Sequence, residues 1–167
     1  MAIEIERKFT VIEESWRKHV ESSVRMAQGY INDIAAMNAG TQKASVRVRI
    51  AGEEAFLNIK SRELGHTRQE FDYPIPVADA EALLKLCVGG LIEKTRHYIR
   101  HAGFLWELDV FEGENAGLVV AEIELPSADT VFEKPVWAGH EVTDQLRYYN
   151  LALADYPYSR WRAEEKT

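Results

Sequence analysis

The sequence contains a single cysteine, Cys87, and no hydrophobic run of the roughly 20 residues needed to span a membrane. One cysteine excludes a disulfide framework and a cysteine-based zinc cluster, and a lone thiol favours a reducing compartment. The N-terminus alternates charged and aliphatic residues and lacks the basic and apolar segments of a signal peptide. We therefore expect a cytoplasmic protein with no membrane partner.

Linkers and repeats are also missing from the chain. Without a Pro-rich linker, a low-complexity tract or a fixed-period repeat, the 167 residues predict one domain over residues 1–155 and a C-terminal tail over 156–167. The net charge of −7, from 20 Lys+Arg and 27 Asp+Glu, argues against nucleic acid and anionic lipid as partners. Both a monomer and a homodimer are compatible with this composition.

The main pattern in the chain is a period of two. Eight runs rich in β-branched and aromatic residues are joined mostly by short turns, which predicts an antiparallel sheet in an α+β fold. The expected strands are 3–9, 25–34, 44–50, 55–62, 68–75, 91–100, 104–111 and 118–125. Apolar residues at helical spacing predict three helices, at 13–22, 77–87 and 141–154.

Each predicted strand has one apolar face and one charged face. A half-buried sheet whose charged face meets water would explain any single strand. However, the three amphipathic helices also need apolar surface to cover. We therefore expect an eight-stranded, closed antiparallel barrel with the helices packed outside and the charged faces lining a tunnel. A barrel with an apolar interior, suited to lipid, is the weaker alternative.

Charges of one sign occur in pairs, two positions apart, on several strands. Such pairs repel each other unless a ligand of opposite sign binds them. Cationic pairs favour a polyanion, whereas carboxylate pairs favour hard divalent cations such as Mg²⁺ or Mn²⁺. Together they indicate a metal-bound polyphosphate. The cationic pairs are Arg47/Arg49 and Lys94/Arg96, and the anionic pairs are Glu4/Glu6, Glu107/Asp109 and Glu122/Glu124.

These residues lie in an ordered set of motifs covering residues 2 to 155. The N-terminal Glu4-Ile5-Glu6-Arg7-Lys8 resembles the ExExK signature of the CYTH, or triphosphate tunnel metalloenzyme, family. The motifs that follow in order are Gln28-Gly29-Tyr30, Val46-Arg47-Val48-Arg49, Leu57-Asn58-Ile59-Lys60-Ser61, Arg68-Gln69-Glu70-Phe71, Glu93-Lys94-Thr95-Arg96, Trp106-Glu107-Leu108-Asp109 and Ala121-Glu122-Ile123-Glu124. The resemblance extends through Glu141-Val142-Thr143-Asp144 and Arg147-Tyr148-Tyr149-Asn150. The ordered set is far more specific than its first member.

The resemblance implies a tunnel that binds a triphosphate together with a divalent metal. It assigns the phosphate chain to Lys8, Arg47, Arg49, Lys60, Lys94 and Arg96. It assigns the metal to Glu4, Glu6, Glu122 and Glu124, with Glu107 and Asp109 assisting and Glu70 either assisting or holding an arginine. Sorting the strand faces alone does not separate Arg62, Arg68 and Asp72 from these residues.

The reaction implied by the resemblance is in-line attack of water on a terminal phosphorus, assisted by Mg²⁺ or Mn²⁺. Lys94 beside Arg96 is expected to have a lowered pKa and to orient or deprotonate the water, and Glu4 and Glu6 complete the catalytic set. The length of the chain and its Glu-Lys-Thr-Arg and Trp-Glu-Leu-Asp patterns are similar to those of the short bacterial tripolyphosphatases of the family. The resemblance therefore favours hydrolysis of inorganic tripolyphosphate to pyrophosphate and phosphate. The alternatives are a class IV adenylyl cyclase, a thiamine or nucleoside triphosphatase, and a non-catalytic polyphosphate-binding module.

Several aromatic residues are left outside this site. Trp106, Trp137 and Tyr149 are expected to pack under the helices. The aromatic stretch over residues 148–161 could instead cover one mouth of the tunnel.

Overall fold

A computed structural model describes residues 5–61 and 69–166, which are built around one sheet. Its strands are β1 (Ile5–Val11), β2 (Val20–Tyr30), β3 (Ala44–Ala51), β4 (Glu54–Ser61), β5 (Glu70–Ile75), β6 (Val88–His101), β7 (Phe104–Phe111), β8 (Val119–Leu125) and β9 (Ala138–Glu141). The α-helices are α1 (Ile34–Asn38), α2 (Val77–Leu84) and α3 (Asn150–Asp155).

The strands are ordered β5-β4-β3-β2-β6-β7-β8-β1-β9, and every neighbouring pair is antiparallel. The antiparallel sheet is therefore confirmed. The expected number of eight strands is wrong, because β9 adds a ninth strand beside β1. Over the residues described here, β5 and β9 form two edges that do not pair with each other, so closure into a barrel is not confirmed.

The predicted helix at 77–87 is confirmed but ends at Leu84. The predicted helix at 13–22 is wrong: a short 3-10 turn occupies Ser15–His19, and β2 begins at Val20. The reason is the length of β6, which has 14 residues and pairs with β2 as far back as Val20. Cross-strand pairing over that length outweighs a local helical pattern.

The predicted helix at 141–154 is also wrong over most of its length. Glu141 ends β9, a 3-10 turn covers Leu146–Tyr148, and only α3 is α-helical. Two of the apolar positions that gave the helical spacing differ in burial, because Leu153 is fully buried whereas Leu146 is 76% exposed. The spacing therefore did not correspond to one continuous helix face.

Most of the core lies on the face of the sheet that carries Val48 and Trp106, which we call the outer face. Helix α2 packs there through Ala80 against Val48 and Ala55. A second cluster contains Trp106 and Trp137, so both tryptophans pack in the core as expected. The described members of this cluster come from no α-helix, so the expected cover by helices is not confirmed for them. Helix α2 thus covers the part of the outer face formed by β3 and β4, as expected of the helices.

The opposite face, which we call the inner face, carries the charges and has an apolar end. Ile92 and Phe111 share this face with Lys94 and Asp109, because they lie two residues away on β6 and β7. They form a cluster with Leu153 of α3 and with Trp161. Helix α3 therefore packs on the inner face. The expectation that all helices pack on the outside of a barrel is wrong for this helix. The segment predicted as a tail packs there through Trp161, which is 5% exposed.

Candidate active site

The strand register places the predicted site residues on one continuous face. Arg47 lies opposite Asn58 and Tyr30, Arg96 lies opposite Asp109, and Glu122 lies opposite both Lys8 and Glu107. Residues directly opposite each other in a ladder point to the same side of the sheet. Sorting the sequence into two faces therefore identified the inner face correctly across the described strands.

A cavity of about 550 Å³ lies over this face. Five predicted phosphate-binding residues line it: Lys8, Arg47, Arg49, Lys60 and Arg96. Four carboxylates line it as well: Glu6, Glu70, Glu107 and Glu122. The remaining lining is largely polar or aromatic and includes Ser45, Asn58, Tyr30, Tyr149 and Asn150. The site thus carries cationic and anionic groups side by side.

Two arginines on β3 form the most distinctive part of the cavity. Over the described parts of the chain, no carboxylate lies within 4.0 Å of Arg47 or Arg49, although other cations on this face have such partners. The Nε of Arg49 donates to Gln28 Oε1 at 3.0 Å. Burial, together with the positive charges of Arg47 and Arg96, lowers the pKa of Arg49 to about 10. An anion bound here would relieve that repulsion.

Lys94 lies beneath the cavity wall, with its side chain 1% exposed. Its Nζ donates to Asp109 Oδ2 at 2.8 Å, and Arg96 donates to both oxygens of the same carboxylate at 2.8 and 2.9 Å. Burial lowers the pKa of Lys94 against the opposing effect of Asp109, and Arg96 lowers it further. The direction is the expected one, but the main cause is burial and not the neighbouring cation.

Asp109 is the shared acceptor of this network and does not line the cavity. Burial alone would raise the pKa of Asp109, but Lys94 and Arg96 outweigh that effect and lower it to about 2. In return, the pKa of Arg96 is raised by Asp109 and Glu107 despite its burial. Asp109 therefore holds two cations in place, one at the cavity and one below it.

Four of the six predicted metal ligands gather at an adjoining opening of about 390 Å³, whereas Asp109 is not among its lining residues. Glu6, Glu107, Glu122 and Glu124 all line it. Burial raises the pKa of Glu107, with Arg96 opposing and Glu122 adding to the rise. No group of three His, Cys, Asp or Glu side chains within 5–61 and 69–166 is arranged closely enough to hold a metal as it stands. The donor set, all carboxylate oxygen, still has the chemistry that a hard divalent cation requires.

Other predicted residues lie at the margin of the site or outside the described residues. Lys60 is 3.9 Å from Glu70, and Asn58 Nδ2 donates to Glu70 Oε1 at 2.8 Å. Asp72, two residues after Glu70 on β5, is exposed. Glu4, Arg62 and Arg68 lie outside the described residues, so the part assigned to Glu4 stays a prediction.

The profile of the CYTH domain family matches residues 2–156. The chain belongs to the CYTH family. The resemblance drawn from the motifs is confirmed, and the matched range includes every cavity residue named above.

Two curated relatives of this CYTH chain are described as inorganic triphosphatases. The relative from Acetivibrio thermocellus is 42% identical over 163 residues, covering 97% of this chain and 99% of its own length. The relative from Nitrosomonas europaea is 38% identical over 154 residues, covering 90% and 96%. A crystal structure of an inorganic triphosphatase superposes with a TM-score of 0.73 at 36% identity, covering 92% of this chain and 95% of that one.

Sequence reasoning missed two aromatic residues at the site of this CYTH domain. Tyr149, expected to pack under the helices, lines the cavity instead. Tyr30 also lines it, and burial raises the pKa of its phenol against the opposing effect of Arg47. The sequence alone could not predict that Tyr149 lies near Lys8, because the two residues are far apart in sequence. No helix in the described ranges is long and apolar enough to cross a membrane.

Proposed function

We propose that this CYTH protein hydrolyses inorganic tripolyphosphate to pyrophosphate and phosphate. The observation that carries the proposal is the Arg47/Arg49 pair, which lines the cavity without a carboxylate partner among the described residues. Guanidinium groups match phosphate oxygens in geometry and charge, and two adjacent ones suit a chain of phosphates. Relatives that match nearly the whole chain are described as inorganic triphosphatases.

In this proposal Arg47, Arg49, Arg96, Lys60 and Lys8 hold the phosphate chain. Their positive charges neutralise the charge that develops on the equatorial oxygens in the transition state. Lys94 lies deeper and is 2.8 Å from Asp109. We assign to Lys94 either the orientation of the attacking water or the support of Asp109 and Arg96, and its variant separates the two roles.

Glu6, Glu107, Glu122 and Glu124, with Glu4, fit a divalent cation by their oxygen chemistry. Mg²⁺ or Mn²⁺ bound there would neutralise phosphate oxygens and lower the pKa of a bound water. In the structure Glu122 Oε1 lies 2.8 Å from Lys8 Nζ, and Glu107 pairs with Arg96 at 2.8 Å. A cytoplasmic location and a monomer or homodimer remain predictions.

The experiment measures phosphate and pyrophosphate released from tripolyphosphate, ATP and thiamine triphosphate, with Mg²⁺ or Mn²⁺ and then with excess chelator. We expect tripolyphosphate to be the best substrate and chelator to abolish turnover. Metal-independent turnover, or none on any triphosphate, would contradict the proposal. Pyrophosphate with cyclic AMP from ATP would assign the chain as a cyclase, and binding without turnover would make it a binding module.

Arg49→Met tests the observation that carries the proposal. Loss of charged hydrogen bonds worth about 1.5–3 kcal/mol predicts a rise of about 10- to 150-fold in the KM for tripolyphosphate. Arg100→Met is the matched control, because Arg100 is 58% exposed and pairs with Glu21 at 3.6 Å away from the cavity. An unchanged KM in Arg49→Met would remove this arginine from the binding site.

A further inference from the structure

The connection between β9 and α3 is attached to Lys8 at several points. The backbone N–H of Val142 donates to the Lys8 carbonyl at 2.7 Å, and the Lys8 N–H donates to Thr143 Oγ1 at 3.0 Å. The Lys8 Nζ lies 3.4 Å from the Tyr148 carbonyl. Both the backbone and the ammonium of Lys8 are therefore contacted by one segment from the other end of the chain.

The ring of Tyr149 is the closest aromatic contact of that ammonium. Lys8 Nζ lies 4.1 Å from the ring centroid, within the range of a cation–π interaction. The Tyr149 hydroxyl donates to the Thr143 carbonyl at 2.7 Å, which fixes the ring against the same segment that holds the Lys8 backbone. Lys8 and Tyr149 both line the cavity.

Lys8 is proposed to bind phosphate, but its ammonium already pairs with a carboxylate. In the structure its Nζ is 2.8 Å from Glu122, which is also a proposed metal ligand. If Glu122 binds a cation and Lys8 binds phosphate, the ammonium loses its carboxylate partner. A flexible lysine then needs another contact to stay at the cavity wall. The neutral face of an aromatic ring supplies that contact without competing for the metal.

We propose that Tyr149 is a positioning residue, whose ring holds the Lys8 ammonium at the cavity wall and thereby sets the affinity for triphosphate. This inference rests on the proposed function. It predicts that loss of the ring weakens substrate binding, whereas loss of the hydroxyl alone has a smaller effect.

The test compares Tyr149→Leu with Tyr149→Phe in two assays. One measures KM and kcat on tripolyphosphate, and the other measures metal-free tripolyphosphate binding by calorimetry in chelator. The range of cation–π strengths predicts a rise of about 3- to 30-fold in KM for Tyr149→Leu. The rise in the metal-free Kd should be smaller, because without metal Glu122 can still pair with Lys8. Tyr149→Phe should stay within about twofold of the wild type. Tyr73→Leu is the control, since Tyr73 is 52% exposed on β5.

A double-mutant cycle with Lys8→Met shows whether Tyr149 acts through Lys8. In that background Tyr149→Leu should change the KM measured with metal by less than about twofold, because the ammonium is already absent. The proposal would be overturned if Tyr149→Leu raised KM equally in both backgrounds. It would also be overturned if Tyr149→Phe raised KM as much as Tyr149→Leu. Thermal unfolding confirms that each variant is folded. A wild type that neither binds nor hydrolyses tripolyphosphate would instead overturn the proposed function, and this inference with it.

Discussion

Asp109→Asn is the most informative perturbation of the fold, because it removes the shared partner of two cations. Lys94 and Asp109 are 1% and 5% exposed at the side chain, and their atoms lie 2.8 Å apart. Arg96 keeps Glu107 as a second partner at 2.8 Å, but Lys94 has no other carboxylate within 4.0 Å in the described parts of the chain. The variant therefore leaves Lys94 as a buried and unpaired charge.

Breaking a buried ion pair on one side costs about 3–5 kcal/mol of unfolding free energy. For a chain of this length, each kcal/mol lowers Tm by roughly 2–4 °C, so we expect a fall of about 6–20 °C. Urea unfolding followed by tryptophan fluorescence measures the loss. Asp129→Asn is the matched control, because Asp129 lies exposed in the loop after β8. A loss below about 1 kcal/mol would refute the assignment of Asp109 as the main partner of Lys94.

The pH dependence of the same variant gives an independent check. Burial already lowers the pKa of Lys94, and removal of Asp109 takes away the charge that opposes this shift. Between the folded pKa and the unfolded value of about 10.4, the folded state binds fewer protons than the unfolded chain, so stability rises with pH. That interval is wider in the variant. The stability difference from the wild type should therefore narrow between pH 7 and pH 9.5, and a constant difference would contradict this reasoning.

Two further variants test the site and the C-terminal segment. Lys94→Ala should lower kcat on tripolyphosphate by about 100-fold or more if Lys94 acts on the water, whereas an unchanged kcat at saturation with a raised KM would leave it a phosphate-binding role only. Trp161→Ala should lower the unfolding free energy by about 3–5 kcal/mol in urea titrations, because Trp161 is buried against Tyr148 with ring centroids 5.0 Å apart. Val131→Ala is the control, since Val131 is 90% exposed, and a loss equal to that control would show that the segment contributes little.

The inner face could be predicted from the sequence because side-chain direction alternates along every strand. That rule depends only on backbone geometry, so Arg47 and Arg49, or Glu122 and Glu124, had to share a face wherever their strand lay. The register then placed these pairs on one surface. The order of the motifs also predicted the family, and the match to the CYTH domain family confirmed this prediction.

The predicted helices were less successful, because helical spacing is a local signal that other contacts can override. Val20 joins a long strand when β6 offers it a hydrogen-bonding partner. Val142 donates its N–H to the Lys8 carbonyl, and this pairing draws the segment along β1 instead of into a helix. Both partners are distant in sequence, so no window around Val20 or Val142 contains the information.

By itself, the sequence determined the family, the antiparallel sheet and the set of charges that one face carries, because these follow from motif order and strand periodicity. The tertiary structure decided which charged side chains line the cavity and which form buried ion pairs with each other. Lys94 and Arg96 lie two residues apart on the same face, yet Lys94 is buried against Asp109 while Arg96 lines the cavity. Tyr149 lies in the site only because the segment after β9 packs against Lys8, at the other end of the chain. Burial and long-range pairing depend on packing, and periodicity does not encode them.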